Sequence, residues 1–171
     1  MAIVTARPIV RKSPDTSGSR GIIRALGRYH DDRDEIWMAE AEIGRRGLRV
    51  DMFTVKPSWH PLPTIYEVKI SRADYKRDEK WQHYLPYCQR FYYAAPKGLL
   101  DPSEIDKEAG LVTVAPDGTV AIEKSARNRV IPAKNMSLMM HRLLFRYAYA
   151  GGNLRQPNEI PIHGPTSGEG A

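Results

Sequence analysis

Three segments between residues 36 and 70 alternate apolar and polar side chains, which is the pattern of β-strands. They cover residues 36–44, 48–55 and 64–70. An amphipathic pattern over residues 19–29 predicts a short helix ahead of them. A sheet formed by these strands must have its apolar faces covered, so the fold class depends on the segments that follow.

A second helix is predicted directly after the third strand. Ser71 and Asp74 have the spacing of a helix N-cap and its acidic partner at the third helical position. Trp81, Leu85 and Cys88 recur at helical spacing and predict a buried stripe on this helix. Pro86 then bends or ends it, because proline lacks the N–H that an inner helical turn requires.

The rest of the ordered pattern is a strand, a hairpin and a helix. Residues 90–95 are aromatic and apolar, as in a core strand. Residues 110–124 predict a hairpin that turns at Asp117 and Gly118, and Asn135 is predicted to cap a last helix. The order αβββαβ, followed by a hairpin and a helix, predicts an α/β fold with a mixed central sheet flanked by helices.

The length of 171 residues is enough for one domain with its own core. Residues 1–18 are rich in Pro, Ser, Gly and basic side chains and predict a flexible N-terminal arm. Residues 156–171 have no periodic apolar pattern and predict an irregular tail. We therefore expect a single domain over residues 19–155.

Positive charge is concentrated in three blocks of the chain. The net charge is +6 overall, with +5 in residues 1–30, +3 in residues 70–97, +6 in residues 125–155 and −4 in residues 98–124. This distribution favours an anionic partner such as DNA. The alternative is that the blocks are ordinary solvated surface.

The single cysteine, Cys88, excludes an internal disulfide and is typical of a reducing, intracellular compartment. No segment approaches the roughly 18 consecutive apolar residues that span a bilayer. These features predict a soluble, cytoplasmic protein that does not contact a membrane.

Glu67 and Lys69 lie on one face of the third predicted strand, where folding alone does not require them. If the strand that carries Asp51 is its neighbour, all three side chains can share that face. Two close carboxylates repel unless a divalent cation lies between them, and Mg²⁺ prefers such oxygen ligands, with the Val68 carbonyl as a further candidate. A nearby lysine would assist water and stabilise phosphoryl charge, which indicates metal-assisted phosphodiester hydrolysis. The alternative is an exposed Glu67–Lys69 ion pair beside an unrelated surface acid.

The context of these residues resembles a known family. Asp51, then Glu67-Val68-Lys69, a helix and another strand are similar to the core of the PD-(D/E)XK nuclease superfamily, whose fold is called restriction endonuclease-like. Residues 66–114 resemble the MmcB family of bacterial DNA-repair proteins in the ExK strand, in SRAD, in KW with a tyrosine after it, in a cysteine before an aromatic strand, and in AGL. With RVDMF added, the likeness covers about 105 residues, from about 20 to about 125.

The resemblance implies roles for individual residues. Asp51 and Glu67 would be metal ligands, and Lys69 would be the catalytic lysine. Lys80 and Tyr84 occupy positions where related nucleases place a Gln or Lys and a Tyr near the substrate phosphate. The alternative for this last pair is a surface lysine over a half-buried tyrosine.

Two further groups of residues extend the predicted site. Many members of the superfamily use a glutamate from the first helix, but residues 19–30 contain no acid, so Glu40 or Glu42 is the candidate additional acid. Basic side chains that follow the ExK strand are predicted to line the approach of a nucleic-acid backbone: Arg72, Lys76, Arg77 and Lys80.

These features together predict a DNA nuclease that depends on Mg²⁺ or Mn²⁺ and acts in DNA repair or a related process. Its substrate would be DNA, with branched, damaged and single-stranded forms all open, and a protein partner in repair is a further candidate. The alternative is a DNA-binding or partner-binding module that keeps the same core without cleaving. Metal binding that depends on Glu67 distinguishes the two.

Overall fold

A computed structural model describes residues 18–44 and 48–149. These ranges leave out residues 1–17 of the predicted arm, residues 45–47 and 150–155 of the predicted domain, and the whole predicted tail. The helices are α1 (Gly18–Asp31), α2 (Arg72–Lys76) and α3 (Ala133–Tyr149), with 3-10 turns at Trp81–Tyr87 and Pro102–Glu104. The strands are β1 (Ile36–Ile43), β2 (Leu48–Val55), β3 (Thr64–Val68), β4 (Arg90–Pro96), β5 (Gly110–Val114) and β6 (Val120–Lys124).

The strands form one six-stranded mixed sheet in the order β1-β2-β3-β4-β5-β6. The first three strands are antiparallel neighbours, β3, β4 and β5 run parallel, and β6 returns antiparallel to β5. Parallel neighbours need a crossover, and the segment with α2 and the longer 3-10 turn supplies the one between β3 and β4. The predicted α/β fold with a mixed sheet and flanking helices is confirmed.

The two faces of the sheet carry separate apolar clusters. On one face, which we call the α1 face, Ile22 and Leu26 of α1 pack with Tyr66 of β3. On the other, the α3 face, Met139 of α3 packs in a cluster with Phe91 of β4. Burying one such side chain stabilises the fold by about 1.5–3 kcal/mol, so the apolar clusters on both faces of the sheet contribute to its stability.

The predicted helix from Ser71 to about Pro86 is interrupted. Its start is confirmed, because the Ser71 hydroxyl accepts the backbone N–H of Asp74 at 3.1 Å. The helix then ends after five residues, and a 3-10 turn forms only after a gap. In that gap the Asp78 carboxylate accepts the backbone N–H of Lys80 at 3.0 Å, a local bond that competes with the helical pattern.

The predicted hairpin is confirmed, and the predicted cap of the last helix is wrong. Asp117 accepts the backbone N–H of Thr119 at 2.9 Å, and Gly118 adopts a φ of +87° in the turn. Asn135, however, lies inside the first turn of α3. Its side-chain amide donates to the Pro86 carbonyl at 3.0 Å and thereby joins α3 to the longer 3-10 turn.

The structure shows the surroundings of the single cysteine and the length and polarity of the helices. Cys88 is fully buried, and burial raises the pKa of its thiol to about 12, so it acts as a small core residue. Within residues 18–44 and 48–149, no helix is long and apolar enough to cross a membrane.

Candidate active site

Acidic residues lie on three neighbouring strands of the sheet: Glu40 on β1, Asp51 on β2 and Glu67 on β3. The paired residues Ala39–Met52 and Ala41–Val50 flank Glu40 and Asp51, which are not themselves paired. Met52 pairs with Tyr66 at the last paired position of β2 and β3, and Asp51 and Glu67 each lie one residue beyond it. The charge of Asp51 raises the pKa of Glu67, and the charge of Glu40 raises the pKa of Asp51, so the three acids belong to one part of the sheet.

The sheet is irregular where these acids lie. Glu40 has a φ of +50°, a left-handed conformation that costs a residue with a Cβ about 1–2 kcal/mol. On β2, Val50 packs on the α3 face and Met52 on the α1 face, although alternation predicts one shared face for them. Regular alternation along β2 is therefore broken at Asp51.

Asp51 takes the place of a backbone acceptor between β2 and β3. Its Oδ2 accepts the backbone N–H of Val68 at 2.7 Å. Burial raises the pKa of Asp51, the bond from Val68 opposes the rise, and the charge of Glu40 adds to it. The carboxylate is therefore both fixed in position and poorly solvated.

Glu67 is the more strongly perturbed of the two acids. Burial, and then the charge of Asp51, raise its pKa to about 8, and Lys69 only partly offsets these effects. Its Oε1 lies 3.4 Å from the Lys69 Nζ, whereas its Oε2 is buried with no hydrogen-bond partner among the described residues. A buried carboxylate oxygen without a partner is costly unless another group satisfies it.

Lys69 lies one residue beyond the end of β3, and its backbone N–H donates to the Ala94 carbonyl at 2.9 Å. Its Nζ forms a shorter ion pair with Asp78, at 2.8 Å, than with Glu67. Burial lowers the pKa of Lys69, but the bond to Asp78 and the charges of Glu67, Asp78 and Asp74 outweigh this and raise it overall. The lysine is therefore a buried cation between two carboxylates.

Asp78 is the member of this cluster that sequence reasoning missed. It belongs to an exposed, charged stretch, KRDEK, whose pattern resembles solvated surface. Only the interruption of the helix turns its side chain inward, to 5% exposure. The sequence contains one signal for this turn. Asp78 lies two residues before Lys80, which is the spacing at which an Asp side chain accepts a backbone hydrogen bond in a turn.

The two acids meet one requirement for a divalent cation. The partnerless Glu67 Oε2 and the desolvation that raises the pKa values of Asp51 and Glu67 are features that a divalent cation between the two carboxylates would compensate. Within the described ranges, however, no three His, Cys, Asp or Glu side chains are arranged closely enough to hold a metal ion. The described residues therefore offer two carboxylate ligands for a divalent cation, Asp51 and Glu67. The Val68 carbonyl, predicted from the sequence, would be a third ligand.

Comparison with known proteins gives the family. The sequence profile of the MmcB-like family, described as DNA repair protein MmcB-like, matches residues 12–152. This chain belongs to that family. No curated protein matches. Among solved structures, the SPO1766 protein of unknown function from Silicibacter pomeroyi is similar, with a TM-score of 0.67 and 24% identity over 90% of this chain and 99% of that one. At that identity the likeness is one of fold.

In this MmcB-like chain, the predicted phosphate-contacting residues have different surroundings. Lys76, Arg77 and Lys80 are exposed. Arg72 instead makes a forked pair with Glu104, at 2.6 and 3.0 Å, and this pairing attaches α2 to the shorter 3-10 turn.

Lys80 and Tyr84, the pair that the family resemblance places near the substrate phosphate, do not lie together on an α-helix. Lys80 precedes the 3-10 turn rather than lying in an α-helix with Tyr84. Tyr84 is buried, and its hydroxyl donates to the Arg49 carbonyl at 3.4 Å. Burial, and then the charge of Glu67, raise the pKa of Tyr84, which therefore lies near the carboxylates of the candidate site.

Glu40 and Glu42, the candidate additional acids, are held differently. Glu40 pairs with Arg49 at 3.1 Å, and its carbonyl accepts from Arg146 of α3 at 2.7 Å. Glu42 pairs with Arg142 at 3.0 Å. Of the two, only Glu40 is among the charges that raise the pKa of Asp51.

Proposed function

We propose that this MmcB-like protein is a metal-dependent DNA nuclease with a restriction endonuclease-like core. The observation that carries the proposal is the two desolvated carboxylates, Asp51 and Glu67, which interact electrostatically beside a buried Lys69. Strongly perturbed titratable groups that converge in this way are more frequent at functional sites than elsewhere. The DNA-repair family adds support for DNA as the partner.

In this proposal Asp51 and Glu67 hold Mg²⁺ or Mn²⁺. When bound, the ion supplies positive charge to a phosphate oxygen and lowers the pKa of a water molecule. Lys69 contributes a second positive charge next to the phosphate, where negative charge increases in the transition state. The exposed Lys76, Arg77 and Lys80 would contact the backbone, and cleavage would then fall steeply as salt rises.

A panel of nucleic acids tests the proposal directly. Purified protein is incubated with duplex, branched, nicked, mismatched and single-stranded DNA and with RNA, in Mg²⁺, in Mn²⁺ and in EDTA. We expect at least one DNA form to be cleaved with metal and none in EDTA. If no form is cleaved under any metal condition, the proposed activity is wrong.

One observation favours a second function, a DNA-binding or partner-binding module that does not cleave. Lys69 is already occupied by two carboxylates, and the described residues hold no ready group of three metal ligands. The same panel, measured as binding, distinguishes this module. Tight DNA binding without cleavage, and without metal binding that depends on Glu67, would favour it.

Glu40→Gln tests whether Glu40 is a third carboxylate of the metal site. The substitution keeps the shape of the side chain and removes the charge that acts on Asp51, together with the ion pair to Arg49. We expect the affinity for Mn²⁺, measured by titration calorimetry, to fall by about tenfold, the lower end of the loss when a supporting group of a metal site is removed.

Glu42→Gln is the matched control for this measurement. It removes the same charge two residues along the same strand, where the carboxylate pairs with Arg142. We expect its Mn²⁺ affinity to stay within about twofold of the parent protein, because Glu42 is not among the charges that raise the pKa of Asp51. Equal losses in the two variants would mean that only overall charge matters.

A further inference from the structure

The chain between α2 and the longer 3-10 turn fixes Asp78 at three points. The Asp78 backbone N–H donates to the Tyr75 carbonyl at 3.2 Å. Its Oδ1 accepts the Lys80 backbone N–H at 3.0 Å, and its Oδ2 lies 2.8 Å from the Lys69 Nζ. A side chain held by backbone bonds on one oxygen leaves the other in a defined place.

Stability alone does not account for this ion pair. Both the Asp78 and Lys69 side chains are only 5% exposed. Removing two charges from water costs several kcal/mol per ion, and replacing a buried pair with apolar residues is often neutral or stabilising. A buried pair next to two carboxylates of the proposed site therefore indicates a role beyond the fold.

The geometry of Lys69 indicates what that role is. A lysine ammonium is a point charge on a flexible four-carbon stem, so its position is set by its partners. Glu67 alone is a loose partner, at 3.4 Å, whereas Asp78 is the closer one. The Tyr93 ring, with its centroid 6.0 Å from Nζ, forms part of the wall around the ammonium.

We infer that Asp78 is a positioning residue that holds the Lys69 ammonium beside Glu67, in the orientation the proposed cleavage reaction uses. The inference rests on the proposed function for its catalytic meaning. Asp78 itself touches neither substrate nor metal in this scheme. It acts only through Lys69.

Asp78→Asn tests the inference, with Asp74→Asn as its matched control. Asp74 contributes to the electrostatic surroundings of Lys69 but forms no ion pair with it among the described residues, and its part in the helix cap is the backbone N–H that it donates to the Ser71 hydroxyl. For Asp78→Asn we expect kcat to fall by about 10²-fold, as for a misplaced catalytic group, with KM within about twofold. Asp74→Asn is expected to change both by less than about twofold.

Amine labelling gives a readout that does not need cleavage. Lys69 is paired and buried, whereas Lys107 is exposed. In a fixed pulse with an amine-reactive reagent, followed by mass spectrometry, we expect Lys69 to label at least about tenfold faster in Asp78→Asn than in the parent protein, normalised to Lys107. Asp74→Asn should label like the parent.

The outcomes separate the inference from the proposed function. If the parent protein cleaves nothing, the proposed function fails, and with it the catalytic role, while labelling still reports whether Asp78 holds Lys69. If Asp78→Asn retains parent kcat and parent labelling, the inference is overturned. If circular dichroism shows that Asp78→Asn is unfolded, Asp78→Glu replaces it. For Asp78→Glu, a kcat between those of the parent protein and a Lys69→Met variant supports the positioning role. Parent values of both kcat and Lys69 labelling contradict it.

Discussion

Asp51→Asn and Glu67→Gln are each expected to lower DNA cleavage by about 10³-fold or more, comparable to removing a group that stabilises transition-state charge. Both changes remove a negative charge from the proposed metal site and keep the side-chain shape. The asparagine amide retains an oxygen that can accept the Val68 N–H, which the Asp51 carboxylate accepts at 2.7 Å. The loss would therefore come from chemistry rather than from unfolding.

The measurement is single-turnover cleavage of the best substrate from the panel, at saturating metal. Asp32→Asn is the control, because Asp32 is an exposed acid that follows α1 and is not part of the proposed site. We expect it to cleave within about twofold of the parent protein. Cleavage within about fivefold of the parent in both Asp51→Asn and Glu67→Gln would exclude the mechanism.

The metal-free protein is expected to lose stability as pH rises from about 5 to about 8. The pKa of Glu67 is raised to about 8 in the folded chain, by burial first and the Asp51 charge second, from 4.5 when unfolded. Between these values the folded state keeps a proton that the unfolded state releases. The free energy of unfolding should then fall by up to about 1.4 kcal/mol per pH unit, and the raised pKa of Asp51 acts in the same direction.

Urea denaturation at several pH values, compared between the parent and Glu67→Gln, isolates this contribution. The glutamine amide cannot titrate, so the pH dependence should be weaker in the variant, and the two curves should converge towards low pH. Mg²⁺ competes with the proton on Glu67, so the stabilisation it gives should increase from about pH 6 to about pH 8. Parallel curves for the two proteins, with or without Mg²⁺, would contradict the buried position of Glu67.

Local patterns in the sequence determined much of this fold. The alternation in β1 to β3, the apolar face of α1, the Ser71 cap and the Asp117–Gly118 turn each depend on neighbours within a few residues. Such features are visible to a reader of the sequence because their hydrogen bonds and packing repeat with a fixed period. Family resemblance then directed attention to Asp51, Glu67 and Lys69, which do lie together.

What the sequence could not predict depends on contacts between distant segments. The turn at Asp78 has a local signal in its bond to the Lys80 N–H, but the inward direction of its side chain depends on Lys69, which lies beyond the end of β3. Asn135 resembles a cap locally, but the Pro86 carbonyl, 49 residues away, determines its role. The reversed faces of Val50 and Met52 likewise follow from the broken alternation around Asp51, which no period in the sequence reveals.

The hydrogen bond between Asp51 and the Val68 amide makes one backbone proton a built-in spectroscopic reporter. An amide proton that is bonded to a carboxylate has a resonance that responds to the charge and position of that carboxylate. Any ligand that draws the Asp51 oxygen away from Val68 must therefore shift this single signal in a ¹⁵N-resolved NMR spectrum. The Val68 amide signal can therefore be used to screen for ligands of the carboxylate cluster before a substrate is known.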